Sequence, residues 1–278
     1  MRRCGPGAHL QEWAIISSGA EEHVLYQIAN APMREYPYAH FYIDNVFPED
    51  FYNRLRQCWP ADESLVSLAD TGRVPKGAYR ERFILPFTQS EVAKLDDQRR
   101  DFWTEFGNWL LSQRFMQAVI DKFAPYVRER FGEAMFSNYY SSESLVVRDQ
   151  TNYAIGPHTD APHRLLSMLF YCPDDDSRPH LGTSIYMPND PGLRCAGGPH
   201  YPHDRFRKIK TMEYRRNSLF AFIKNDYSFH GVAPIGTQTV GRDVLLYDIR
   251  VQQNESAAPT PQSGLGVGIL KRLIGKRS

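Results

Sequence analysis

Between residues 143 and 251 the chain is written in short runs of β-branched, aromatic and aliphatic residues separated by turn formers. No other feature narrows the possible folds as much. Eight runs can be counted: Ser144–Asp149, Tyr153–Thr159, Leu165–Cys172, Thr183–Met187, Phe206–Tyr214, Ser218–Lys224, Ser228–Ile235 and Asp243–Val251. Each has the length of a strand and is punctuated by glycine, proline, asparagine or aspartate. Eight short strands spaced this way predict a double-sheet jelly roll. The insertion at 188–205 is rich in Gly, Pro and His, and reads as a surface loop near the mouth of the barrel.

The first half has a different texture. His40–Phe47 is rich in strand formers and ends at Pro48. That proline sits where a first helical turn tolerates it, and the spacing of Phe51, Leu55 and Cys58 predicts a helix running to Trp59. Residues 60–90 read as an irregular connection, with an Arg80-Glu81-Arg82 cluster that suits a loop over a functional face. Phe102, Phe106, Trp109 and Leu110, then Phe115, Val119, Phe123, Tyr126 and Val127, recur at helical spacing. These residues predict helices backing a sheet, with a break at Ser112 or Pro125. The expected organisation is a helical region packed on the core over residues 1–142, a β core over 143–251, and a tail over 252–278. The tail ends in a basic, glycine-containing segment, Leu265–Arg277, that reads as a docked or frayed end or as a short amphipathic helix.

Composition limits the partners. A net charge of +1 gives no general attraction to nucleic acid. No apolar run reaches the length of a membrane span, and the N-terminus lacks the apolar stretch of a secretory signal. Cys4, Cys58, Cys172 and Cys195 are scattered without a C-x-x-C pair, which fits reduced thiols in the cytoplasm.

Chemistry concentrates in Gly156-Pro157-His158-Thr159-Asp160, in the second run. Side chains two residues apart on an extended segment point to one side, so His158 and Asp160 can share a ligand. His230 lies in the seventh run. In a jelly roll the second and seventh strands can converge at one mouth, which turns a long sequence separation into a contact. Two imidazoles and one carboxylate on one face of a metal leave positions open for other ligands, as in the 2-His-1-carboxylate triad of non-haem iron(II) sites. Arg242 opens the eighth run and can pair bidentately with a carboxylate. Arg250 has the same parity and competes for that role. Arg148, with the parity of His158, and His163 and Arg164, which follow the motif, are candidates for the substrate wall. His180, His200 and His203 have no metal-ligand spacing and read as loop histidines.

With these residues the chain resembles the Fe(II)/2-oxoglutarate-dependent oxygenases, in particular the prolyl-4-hydroxylase-like branch. The resemblance rests on His158-x-Asp160, His230 and Arg242, and on the entry His40-Phe41-Tyr42-Ile43-Asp44-Asn45-Val46-Phe47-Pro48. It implies a double-stranded β-helix (jelly roll, cupin-like) core, mainly β, backed by N-terminal helices. It also implies Fe(II) on His158, Asp160 and His230, with 2-oxoglutarate and O2 as cosubstrates and ascorbate as accessory reductant. Arg242 would bind the distal carboxylate of 2-oxoglutarate, with Tyr171 assisting or simply packing in the core. The branch commonly has lysine where Arg242 stands, and other branches have Arg-x-Ser where Val244 stands. The implied reaction is hydroxylation of an unactivated C–H bond, because a halogenase of this type needs a small residue in place of Asp160. An amino acid or natural-product intermediate is the expected substrate. A peptide substrate, a catalytically silent binder and a non-oxidative cupin-like metalloprotein are the alternatives.

Overall fold

In the computed structural model, residues 19–75 and 77–252 are described. In chain order, residues 19–30 form helix α1. Strand β1 (His40–Asp44), helix α2 (Glu49–Gln57) and strands β2 (Val66–Ser67) and β3 (Arg82–Pro86) follow. Helices α3 (Gln89–Val92), α4 (Asp97–Leu110), α5 (Gln113–Lys122) and α6 (Ala124–Phe131) come next. The β-rich half then supplies β4 (Tyr139–Asp149), β5 (Ile155–His158), β6 (Arg164–Tyr171), β7 (Thr183–Pro188), β8 (Phe206–Met212), β9 (Ser218–Ile223), β10 (His230–Val232) and β11 (Arg242–Gln252).

The strands form two antiparallel sheets. One has the order β1-β9-β6-β11-β4-β3-β2 and the other β5-β10-β7-β8. Val147, Tyr171, Phe220 and Val244 of the large sheet share one apolar cluster with Ile185, Met212 and Val232 of the small one. The two sheets therefore pack face to face, giving the expected double-stranded β-helix. Alternation then sorts the side chains of the large sheet. Leu166, Met168 and Phe170 of β6, with Leu245, Tyr247 and Ile249 of β11, join the helical layer in a second cluster. Their neighbours along each strand face the small sheet.

The helices follow the aromatic spacing. Phe106 is fully buried, and its ring lies within 6 Å of those of Phe47, Phe51, Phe87, Phe102, Trp103 and Trp109. Burying such a ring stabilises the fold by roughly 1.5–3 kcal/mol. The break between α4 and α5 falls at Ser112, whose side chain caps α5 by accepting from the Phe115 amide at 3.1 Å. Pro125 falls in the first turn of α6, where its missing N–H costs nothing.

The stretch 60–90 is more ordered than its composition suggests. Phe83-Ile84-Leu85 carries enough strand propensity for β3, which pairs with β4 in the register Arg82↔Asp149 to Pro86↔Leu145. Proline is tolerated there because it ends the strand. The N-terminal half thus contributes β1, β2 and β3 to the large sheet, and β4 begins at Tyr139, before residue 143. Cys58, Cys172 and Cys195 are buried, unpaired thiols. No helix among the described residues is long and apolar enough to cross a membrane. The basic segment 265–277 lies outside the described residues, as does Cys4.

Candidate metal centre

β5 and β10 run antiparallel with His158 directly opposite His230, and the two imidazole centroids are 4.4 Å apart. Asp160 follows two residues beyond the first of them. One ligand atom from each of the three side chains lies within 4.8 Å of the other two, the one such group found among the described residues. His158 Nδ1 is 2.9 Å from the Gly156 carbonyl and His230 Nδ1 is 3.0 Å from that of Ser228. A carbonyl only accepts, so each Nδ1 must carry the proton, which leaves a lone pair on each Nε2. Asp160 Oδ2 accepts from the Ser167 hydroxyl at 2.8 Å. Its Oδ1 is 3.5 Å from Arg164 and 3.8 Å from His230 Nε2, the latter too far for a hydrogen bond.

The protonation states suit a metal. Burial, then the neighbouring His230 and His200, lower His158 to about 3, so its ring is neutral at physiological pH. Burial alone would raise Asp160, but Arg164, His230 and His158 together with the Ser167 hydrogen bond hold it below the usual carboxylate range. An N/N/O donor set, with each ligand fixed by a hydrogen bond from behind and one side open, fits a divalent first-row metal.

The loop at 188–205 packs on this motif. Thr159 Oγ1 donates to the Cys195 carbonyl at 2.7 Å, and the Tyr201 amide donates to that of Pro157 at 2.9 Å. Gly197 has φ +128°, and a Cβ there would lie 2.4 Å from the Asp160 carbonyl oxygen. His200 packs against His158, centroids 4.6 Å apart, and its Nε2 is 2.9 Å from the Tyr79 hydroxyl. It is therefore a neighbour of the centre, although its spacing marked it only as a loop histidine.

The three candidate ligands line a cavity of about 360 Å³. At its deep end Arg242, only 1% exposed, donates to Asp149 at 2.7 Å and to the Leu181 carbonyl at 2.5 Å, with Thr183 Oγ1 at 3.4 Å. Arg82 takes the same carboxylate in two hydrogen bonds, of 2.6 and 2.9 Å. Two guanidiniums share one carboxylate, so one positive charge is left over. Tyr153 lines the same end, and its buried hydroxyl has no hydrogen-bond partner among the described residues. This end of the cavity therefore holds a surplus buried positive charge and an unused hydroxyl, both of which are costly to bury unpaired. Tyr171 supports it from behind: its ring lies 5.6 Å from the Arg242 guanidinium, and its hydroxyl accepts from the Thr183 amide at 3.0 Å.

β11 connects the two ends. Arg242, Leu246, Asp248 and Arg250 all face the cavity. Arg250 stands eight residues from Arg242, about 26 Å along an extended strand, at the open end, where it pairs with Glu143. Arg242 is therefore the arginine at the buried end. His163 and Arg164 line the open end, and Arg164 bonds Asp248 at 3.0 Å. Arg148 does not join them. It pairs with Asp243 at 2.7 Å and Asp62 at 2.5 Å on the other side of β4, and Asp243 also bonds Arg56 of α2. The turn at 150–154 interrupts the extended backbone, so parity counted back from His158 does not carry into β4. Arg82, Tyr153, Glu143 and Asp248 were not singled out from sequence as site residues. Period-two reading back from Arg250 would have found Asp248, and the Arg80-Glu81-Arg82 cluster points to the segment that holds Arg82; nothing local marks Tyr153 or Glu143.

Fold and site together define a double-stranded β-helix carrying a 2-His-1-carboxylate constellation at one mouth and an arginine-lined deep end in the same cavity. No protein-family model matches the chain, and no curated protein sequence matches it. Similar solved structures include a prolyl-4-hydroxylase from Pseudomonas putida (TM-score 0.44, 13% identity, covering 84% of this chain and 99% of that one). A 2OG-Fe(II) oxygenase family oxidoreductase from Burkholderia pseudomallei aligns with TM-score 0.40 and 12% identity, over 90% of this chain and 93% of that one. The non-haem α-ketoglutarate-dependent epimerase SnoN of nogalamycin biosynthesis aligns with TM-score 0.47 and 11% identity, over 90% of each chain. Each score is below 0.5, so the functional reading rests on the residues of this chain.

Proposed function

We propose that the protein is a non-haem Fe(II)- and 2-oxoglutarate-dependent dioxygenase that hydroxylates a C–H bond of a small molecule. One observation carries this reading: a single cavity joins an open N/N/O donor triad to a buried site with one uncompensated positive charge. A dianionic, chelating 2-oxo acid matches both ends. His158, Asp160 and His230 would hold the metal. Arg242 and Arg82, with the Tyr153 and Thr183 hydroxyls, would hold the distal carboxylate. When bound there, iron(II) supplies the activation of O2 that couples decarboxylation of 2-oxoglutarate to oxidation of substrate.

The protein's part is placement. The Gly156 and Ser228 carbonyls fix the two imidazoles with Nε2 facing inward, and Ser167 fixes Asp160. Arg164 favours the ionised carboxylate by standing beside it. Ile155, Leu169, Phe222 and Val232 wall the cavity with apolar surface that excludes water. The cavity volume lies at the low end of the range for small-molecule sites, which favours a small substrate over a large one. The three buried unpaired thiols fit a reducing compartment.

The test is formation of succinate and CO2 from 2-oxoglutarate by purified protein with Fe(II), O2 and ascorbate, including uncoupled turnover without substrate. Turnover that needs both iron and 2-oxoglutarate and is lost in His158→Ala is the expected result. Protein that binds neither metal nor 2-oxoglutarate overturns the reading.

A further inference from the structure

The open half of the cavity carries Arg73, Glu143, Asp248 and Arg250, which neither the metal centre nor the deep end uses. Asp248 is 2% exposed. Its Oδ2 is taken by Arg164, while its buried Oδ1 has no hydrogen-bond partner among the described residues. Glu143 stands directly opposite Asp248 in the β4–β11 register, and like charges in that relation repel. Arg73 and Arg250 both pair with Glu143, and Arg250 Nε is buried without a partner. Two guanidiniums, Arg73 and Arg250, thus share the Glu143 carboxylate, which leaves one positive charge over, while Arg164 stands between two carboxylates, Asp160 and Asp248. Asp248 lines the cavity, and its unpartnered buried oxygen marks the cluster as a site, because polar groups at such depth are normally satisfied.

We propose that this half is the prime-substrate subsite, and that it takes a small monocarboxylic acid carrying a hydrogen-bond donor. The carboxylate pairs with Arg250 and Arg73, and a hydroxyl or amide N–H donates to Asp248 Oδ1. A monocarboxylate matches the one guanidinium charge that Glu143 leaves over. That this acid is the molecule oxidised rests on the dioxygenase reading; that it binds here does not.

The test uses the full chain with Mn(II) and 2-oxoglutarate under argon, titrated calorimetrically with N-acetyl amino acids and α-hydroxy acids. Each probe is matched by its methyl ester and by the analogue with its donor methylated. At least one acid is expected to bind, with its ester and its methylated analogue each at least tenfold weaker. Arg250→Gln should remove most of the acid-over-ester preference. Asp248→Asn should remove the preference for the free donor. Lys208→Gln, which deletes an exposed charge on β8, should change neither. The subsite is overturned if no acid binds, if esters bind as well as acids, or if Arg250→Gln keeps the preference. Mn(II) and 2-oxoglutarate are titrated separately. If they fail to bind while the acid behaves as described, the dioxygenase reading falls and the subsite stands. If they bind and no acid does, the subsite alone falls.

Discussion

Arg82 provides a sharp test of the deep anion site, because it reaches the cavity from a strand outside the eight runs of the β-rich half. With Arg242 it shares Asp149, which is fully buried. Replacing Arg82 by Gln lets Asp149 neutralise Arg242 outright, so the end of the cavity changes from one positive charge to none. A charge-assisted hydrogen bond to a ligand carboxylate contributes about 1.5–3 kcal/mol. The dissociation constant for 2-oxoglutarate should therefore rise by about 10- to 150-fold. Stability should suffer less than in an ordinary broken ion pair, since Asp149 keeps a partner. Asp149→Asn, by contrast, leaves two guanidiniums without a counter-ion and should cost about 3–5 kcal/mol. Calorimetric titration of 2-oxoglutarate into Mn(II)-loaded protein without oxygen measures the first effect, and urea unfolding measures the second. A folded Arg82→Gln variant that binds 2-oxoglutarate within twofold of the parent would refute the shared-carboxylate argument.

Other consequences can be measured directly. His230→Ala removes one Nε2 donor and should abolish stoichiometric metal binding, read by equilibrium dialysis, while the fold survives by circular dichroism. In Gly197→Ala the new Cβ meets the Asp160 carbonyl at a φ that disfavours side chains, so stability should fall by about 1–3 kcal/mol and metal affinity should drop. Acid stability of the metal-free protein includes two opposing contributions from the cavity, beside those of His40, His163 and His200, which burial lowers as it does His158. His158, lowered mainly by burial to about 3, binds fewer protons folded than unfolded, so it removes stability as pH falls below about 6.5. Asp248 is raised by burial to about 6, against the pull of Arg164. It binds more protons folded than unfolded and adds stability as pH falls from about 6 to about 4. Asp248→Asn should thus lose about 1 kcal/mol more than the parent between pH 7 and pH 5, by urea unfolding; equal losses would contradict the buried state of Asp248.

The β-rich half was legible because its signals are local. Short strand-forming runs with turn formers between them placed all eight core strands, and Ser112 and Pro125 marked the helix breaks. His158 and Asp160 were readable as a pair because two residues of extended chain put both on one side. The region at 60–90 was misread as irregular because glycine and proline flank a strand only five residues long. Its order comes from pairing with β4, a long-range contact that composition cannot report. Arg148 faces away from the cavity because the turn at 150–154 breaks the period of two that its spacing from His158 implies.

What the sequence determined by itself was the strand pattern, the aromatic helical layer and the His158–Asp160 pair, carried by spacing within single elements; His230 and Arg242 were marked by their places on the seventh and eighth runs and by the family resemblance. Only the tertiary structure decided which charges share a counter-ion. Arg82 and Arg242 are 160 residues apart and meet through Asp149 because β3 and β11 flank β4. Likewise Asp248 is left with an unmet oxygen although Ser167 stands opposite it in the sheet, because the Ser167 hydroxyl donates to Asp160. Which buried charges meet is set by strand pairing, and how strongly they interact depends on distance and dielectric; chain order specifies none of these.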